Sequence, residues 1–210
     1  SLTVNADGSI GSSSQDYGYG ITGGSNYGAV EIKDSASVTV NMSNFTGGSY
    51  AIYSGDFKTT SSGALTLNVT KTEYKNIEHV GIYAKSSVSL GGSGAKTITL
   101  DCDASNVAGI KCYNSNSRVT VNGGDLTITN NQGSRGAGIS SGTIYLNANV
   151  TINNVNEGMR STASSPNGPI TITGDKTINI TAGSGSAILT RGDLTITGNP
   201  VITATRTSTY

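Results

Sequence analysis

The sequence predicts an all-β protein, a single-stranded right-handed parallel β-helix of about six or seven three-strand coils. Three observations predict it. A small residue followed by an apolar one recurs at Ala51-Ile52, Gly81-Ile82, Gly109-Ile110, Gly138-Ile139, Gly158-Met159 and Ala187-Ile188, with steps of 30, 28, 29, 20 and 29 residues between the apolar members. A period of that size marks a stacked architecture in which each repeat is one coil. Within the periods lie two further short alternating runs, such as Val88-Ser89-Leu90 followed by Ile98-Thr99-Leu100. Finally, Gly, Ser, Thr and Asn dominate while good helix formers at helical spacing are scarce, which argues against long helices.

Each element follows from strand geometry. Successive side chains change face, so Ile98, Leu100 and Cys102 point inward while Thr97, Thr99, Asp101 and Asp103 point outward. The small residue before each apolar one suits a tight corner where backbone crowds backbone. Gly-Asp opens a strand at Gly55, Gly124, Gly174 and Gly192, and GDLTITN and GDLTITG write nearly the same element twice. At ~4.8 Å per coil the stack is roughly 30–35 Å long. A β-sandwich also has many short strands, but it has no need of the period. Residues 1–28, rich in Gly, Ser and Tyr, read as an arm or irregular cap ahead of a β-helix over 29–210, with Tyr17, Tyr19 and Tyr27 as the arm's contact residues. Strand-like residues continue through Val201–Thr205 almost to Tyr210, so the coil ends read as uncovered. Either the chain is excised from a longer protein or its ends find partners.

Composition removes several function classes. Thirteen Lys and Arg balance thirteen Asp and Glu, so there is no basic footprint for nucleic acid. Charged residues are 12% of the chain, about half the usual share, which leaves a mostly neutral polar surface. No run approaches the roughly 18 apolar residues of a membrane span, and SLTVNADGSI has neither the charged nor the apolar region of a signal peptide. Catalysis on a β-helix calls for clustered carboxylates with Lys, Arg or His in a groove. Here Asp101 and Asp103 share one outward face, and Glu73 with Glu78 lies in a loop-like stretch beside the single His79, so the chain reads as non-enzymatic. No cofactor is called for. Ca²⁺ at Asp101 and Asp103 is the one metal candidate, and two carboxylates fall short of its usual six to eight oxygens. Cys102 and Cys112, ten residues apart and both inward, fit either a disulfide across a corner, as in an extracellular protein, or two buried thiols.

Surface patterns are more informative. Aligning coils places Thr39, Thr66, Thr97, Thr127, Thr151, Thr177 and Thr203 in one outward row, with Asn41, Asn68, Thr99, Thr129, Asn153, Asn179 and Thr205 two residues on. Thr is a good exposed β residue, and stacked Asn side chains hydrogen-bond between coils. Such a flat uncharged face also resembles the Thr-x-Thr arrays of ice-binding β-solenoids. After each small-apolar pair the outward residues are Tyr53, Tyr83, Lys111, Ser140, Arg160 and Leu189. Stacked in register, tyrosines beside cations make a strip for a sugar or a protein partner. Arg191-Gly192-Asp193 resembles the integrin-binding tripeptide but reads as one more strand-opening turn, and glycosylation sequons stand at Asn41, Asn44, Asn68, Asn149 and Asn179.

The coil wording GIYAKSSVSLGGSGAKTITLDCDASNVAGIKCYNSNSRVTVNGGDLTITN resembles repeats of secreted β-helix proteins of Gram-positive gut and soil bacteria, adhesin-like and clostridial carbohydrate-binding β-helix proteins among them, over roughly residues 29–205. The resemblance implies an extracellular or cell-surface location, with acidic residues and Ca²⁺ contributing to recognition of sugar acids. Together these readings give a structural or adhesive β-helix whose partners are copies of itself, met through the arm and the coil ends. Binding of a cell-surface or plant polysaccharide at Tyr53, Tyr83, Lys111 and Arg160 is the alternative, and ice binding is a second.

Overall fold

The computed structural model describes residues 1–8, 17–24, 27–45, 47–71, 77–104, 106–132, 135–162 and 168–207. Among them the chain winds as a parallel β-solenoid of strands and turns. Its first coil holds β1 (Leu2–Asp7), β2 (Tyr17–Thr22) and β3 (Val30–Ile32). Next come β4 (Val38–Ser43) with the long β5 (Gly48–Thr59), then β6 (Leu65–Lys71) with the long β7 (Glu78–Leu90). Three-strand coils follow: β8 (Lys96–Cys102), β9 (Asn106–Cys112) and β10 (Arg118–Val121); β11 (Leu126–Asn130), β12 (Ala137–Ser141) and β13 (Thr143–Leu146). The last are β14 (Val150–Val155), β15 (Glu157–Ser161) and β16 (Ile170–Thr173), then β17 (Thr177–Ala182), β18 (Ile188–Leu189) and β19 (Leu194–Thr197), after which β20 (Val201–Arg206) starts another coil.

One face is the eight-stranded sheet β1-β4-β6-β8-β11-β14-β17-β20. The other two faces join into a single twelve-stranded sheet, because β5 and β7 run unbroken round the edge between them. Inward residues stack as apolar ladders. Leu67, Ile98, Ile128, Ile152 and Ile180 pair in register on the first face, and Ile52, Ile82, Ile110, Ile139 and Met159 on the second. All ten are essentially unexposed. Burial of each such side chain stabilises the stack by about 1.5–3 kcal/mol, and each touches only its own coil and the neighbouring ones.

The small residue sits at a bend in the strand. Val80 pairs with Ala108 and Ile82 with Ile110, while the glycines between them are passed over by the ladder. The same skip occurs between β9 and β12. A Cβ on Gly109 would lie 2.5 Å from Ile128 Cγ2 and 2.8 Å from the Gly138 carbonyl oxygen, so side chain from the facing sheet and backbone from the next coil both fill the space. The crowding expected at this position is therefore real, and it comes from two directions. The short step of 20 residues also has a cause: Gly142 alone connects β12 to β13.

Residues 1–28 differ from the arm or irregular cap expected of them. Their described parts form β1, paired residue for residue with β4 from Leu2 opposite Val38 to Asp7 opposite Ser43, and β2, paired with β5. Gly/Ser richness disguised a coil whose strands are short and whose polar residues face out. Residues 9–16 and 25–26 lie outside the described residues. At the other end Leu194 and Ile196 pair with the fully buried Ile170 and Ile172, yet they are 44% and 48% exposed. Lys96 is a cation placed at a core position, 2% exposed. Its Nζ donates to the carbonyls of Gly92 (3.0 Å) and Gly123 (2.5 Å), tying together the turns of successive coils, and burial lowers its pKa.

Replacing Gly109 by Val is expected to destabilise the fold by about 1–3 kcal/mol through overpacking. The measurement is a denaturant midpoint at unchanged m-value. A midpoint equal to that of the parent would show that the bend has room.

Candidate functional site

The bend in the second face determines which side chains meet outside it. Because two consecutive residues, small and apolar, turn inward, the flanking residues on both sides turn outward. One outer row is Thr22, Tyr53, Tyr83, Lys111, Ser140, Arg160 and Leu189, in register from β2 to β18. Tyr53, Tyr83, Lys111 and Arg160 thus stand in the single file that coil stacking requires. A second row, three residues earlier, is Tyr19, Tyr50, Val80, Ala108, Ala137 and Glu157. The two rows converge across the bend: the rings of Tyr50 and Tyr53 are 5.2 Å apart, and Arg160 Nη1 donates to Glu157 Oε2 at 3.0 Å. Strict alternation from Ile52 puts Tyr50 inside, and for that reason the second row was not legible as a surface.

Tyrosines fill the convergence on the first three coils. Tyr53 stacks on Tyr83 with centroids 5.0 Å apart and planes at 11°, and Tyr19 stacks on Tyr50 at 5.6 Å and 12°. Edge contacts of 4.9 to 5.4 Å join the two pairs, and Tyr17, Tyr27 and Tyr113 extend the cluster at 5.6 to 6.5 Å. Tyr17, Tyr19 and Tyr27 are therefore part of the solenoid's outer wall and not contacts of an arm. Lys85 Nζ lies 4.4 Å from the centroid of the Tyr27 ring. The stacking leaves each of Tyr53 and Tyr83 with one face turned to the other ring, and Tyr83 is 9% exposed. Tyr113, 67% exposed, is the most open ring of the cluster, ahead of Tyr17 at 54%.

Glu78 links the tyrosines to the charged part of the file. Its Oε2 accepts from the Tyr50 hydroxyl at 2.8 Å, and its Oε1 pairs with Lys111 Nζ. Burial, then the Glu78 hydrogen bond, raises the Tyr50 pKa well above 10. Burial is also the leading cause for Tyr53, assisted by Tyr27, and for Tyr83, assisted by Glu78.

Beyond Tyr83 the convergence empties. Ala108 and Ala137 occupy the positions that Tyr19 and Tyr50 hold farther up, and Ser140 follows Lys111 in the file. The result is a trough of about 200 Å³ over β12, walled by Asn106 and Lys111 on β9 and by Asn156, Glu157 and Arg160 on the far side. A second depression of about 200 Å³ adjoins it between Arg160 and Arg191. Arg191 belongs to the Arg191-Gly192-Asp193 turn that opens β19.

The Thr/Asn rows run along the eight-stranded face. Thr39, Thr66, Thr97, Thr127 and Thr151 pair in sequence, and Thr99 pairs with Thr129 in the next row. Thr177 does not join them: it lies opposite Val201, and Asn179 takes its place between Thr151 and Thr203. TINIT reads the same after a slip of two residues, so facing parity could not detect the shift. The rows also extend to Thr3 and Asn5 of β1. Asn68 Nδ2 donates to Asn41 Oδ1 (2.8 Å) and Asn41 Nδ2 to Asn5 Oδ1 (2.7 Å), so the amides of two sequons hold coils together.

Cys102 and Cys112 are thiols and not a disulfide. Each is engaged separately, Cys102 Sγ with the Val69 carbonyl at 3.3 Å and Cys112 with Ser117 and Ser141, and burial pushes the Cys112 pKa up to about 11. Asp101 accepts from Gln132 Nε2 at 2.6 Å and Asp103 from Arg135 Nε at 2.8 Å, so each carboxylate has its own partner. Among the described residues no group of three or more His, Cys, Asp and Glu side chains converges as a metal site would need.

No protein-family model, curated protein or solved structure matches the chain. What the structure shows is the parallel β-solenoid itself.

Two outcomes follow from this chemistry. Unfolded tyrosines ionise near pH 10, whereas folded Tyr50, Tyr53 and Tyr83 resist ionisation, so the stability these three contribute is fully present below pH 10 and falls as pH rises beyond it. Phenolate absorbance is expected to show a late-titrating class that appears together with unfolding. Full ionisation in the intact fold would remove the burial argument. The thiols of native protein are expected to ignore a thiol reagent at pH 8 and to react within seconds once denatured.

Proposed function

We propose that this chain is a non-enzymatic adhesive β-solenoid that holds a glycan along the bend of its second face. The observation that carries the reading is the trough beside the tyrosine stack, where polar groups converge over an apolar floor. Its two cations are each neutralised by a carboxylate, Arg160 by Glu157 in the wall and Lys111 by Glu78 from the coil before. Neither pair is set up as acid and base across a bond to be broken. Both offer hydrogen-bonding groups in fixed positions, which is what a sugar's hydroxyls need. Tyr113 supplies an exposed ring two residues beyond Lys111 for stacking.

An array of plant and bacterial cell-wall glycans tests the reading. Ala137→Tyr with Ser140→Tyr rebuilds on β12 the aromatic filling that Tyr50 and Tyr53 provide on β5. This variant is expected to weaken binding by at least about tenfold at unchanged melting temperature. Tyr113→Ala is expected to weaken it less. Silence of the parent protein across the array would defeat the proposal.

One observation favours a second reading, a self-associating unit of a fibre or layer. Leu194 and Ile196 present apolar surface beside β20, to which another coil can add by parallel pairing. In this reading a neighbouring copy supplies that coil through β1. Sedimentation and negative-stain microscopy over a wide concentration range are expected to show linear assemblies that Leu194→Lys with Ile196→Lys abolishes. A monomer at all concentrations leaves this reading without support.

A further inference from the structure

We infer that the trough over β12 recognises the acetamido group of an N-acetylhexosamine, an assignment that rests on the glycan-binding reading and narrows it to a sugar class. The first argument is a hydroxyl in the trough. Ser140 lines the trough at the centre of the file and is 8% exposed. A hydroxyl in this place both donates to and accepts from a group laid in the trough.

The second argument is a donor held in place. Asn156 Oδ1 accepts from Ser184 Oγ at 2.7 Å and from the backbone N–H of Gly185 at 3.0 Å. The backbone donor fixes which end of the amide is oxygen, so the other end of this trough-lining side chain is an NH₂ that can only donate. It asks for a carbonyl oxygen. Sugar hydroxyls answer such a donor weakly, and an acetamido carbonyl answers it well.

The third argument is the floor. Ala108 and Ala137 are paired across β9 and β12, so their methyl groups lie side by side at the coil spacing of ~4.8 Å. A methyl group placed on them loses apolar surface to water, whereas a hydroxyl placed there loses hydrogen bonds. Charge agrees with this choice. Lys111 and Arg160 each face their own glutamate, so the trough is balanced and gives no advantage to a carboxylate. An acidic sugar would find its better match next door, between Arg160 and Arg191. One uncharged group has a carbonyl acceptor, an N–H donor for the Ser140 oxygen and a methyl for the alanines. That group is acetamido.

Titration calorimetry of the full chain with chitotetraose, cellotetraose and tetragalacturonate tests the assignment. Chitotetraose is expected to bind at least about tenfold more tightly than cellotetraose, the equivalent of one good hydrogen bond with a buried methyl. Saturation transfer in NMR is expected to be strongest at the acetyl methyl protons. Ser140→Ala and Asn156→Ala should each erase the preference for chitotetraose. Because Asn156→Ala also frees Ser184 and Gly185, Ala137→Val, which only raises the floor, serves as the variant that keeps those bonds. Equal affinity for chitotetraose and cellotetraose, or preference for tetragalacturonate, overturns the acetamido assignment and leaves the glycan reading standing. Failure to bind any of the three or any glycan on the array overturns both.

Discussion

A strand that bends at a small residue cannot keep its side chains alternating, and this solenoid repeats that bend on coil after coil. Gly81, Gly109, Gly138 and Gly158 turn the chain where the facing sheet and the next coil leave no room for a Cβ. Two inward residues in succession follow, and two outward rows are then forced towards each other. Everything distinctive about the second face comes from what those rows carry. Where they carry rings, the rings stack on each other. Where they carry methyl groups and a hydroxyl, a trough opens between ion pairs.

Stability in such a molecule is added coil by coil, since each rung of the apolar ladders meets only its neighbours. Polar cross-ties do the same work outside the core. The Asn5-Asn41-Asn68 ladder ties three coils on the first face, and the Lys96 ammonium joins two turns at its edge. The tyrosine cluster spans coils on the second face, ring against ring. Its phenols make it the alkaline weak point.

Much of the fold was legible because a period near 29 residues and a facing period of two are both written in residue identity. Ile98, Leu100 and Cys102 lie inside, and the file from Tyr53 to Leu189 stands in register, as counting from each small-apolar pair requires. Three things were hidden. The slip at Thr177 preserves facing parity, so no pattern of polar and apolar residues records it. The first coil lies in a Gly/Ser-rich stretch whose composition imitates a linker, although Val4 and Ile21 pack against the core. Tyr50, Ala108, Ala137 and Glu157 form a surface row only because the bend breaks alternation. A bend is a property of three-dimensional crowding, for which a Gly-Ile pair in the sequence is a sign but not a measure. The file of cations and tyrosines was therefore foreseen, and the trough beside it was not.

The same bend has a consequence for how such a surface changes over time. Along this face the bend recurs from coil to coil, and two side chains per coil decide whether that coil is closed or open. Exchanging Tyr and Tyr for Ala and Ser shifts an opening by one coil without touching the ladder behind it. The length of an opening is likewise counted in whole coils. A binding surface built this way has an address, a coil number, that substitution can rewrite while the fold stays in place.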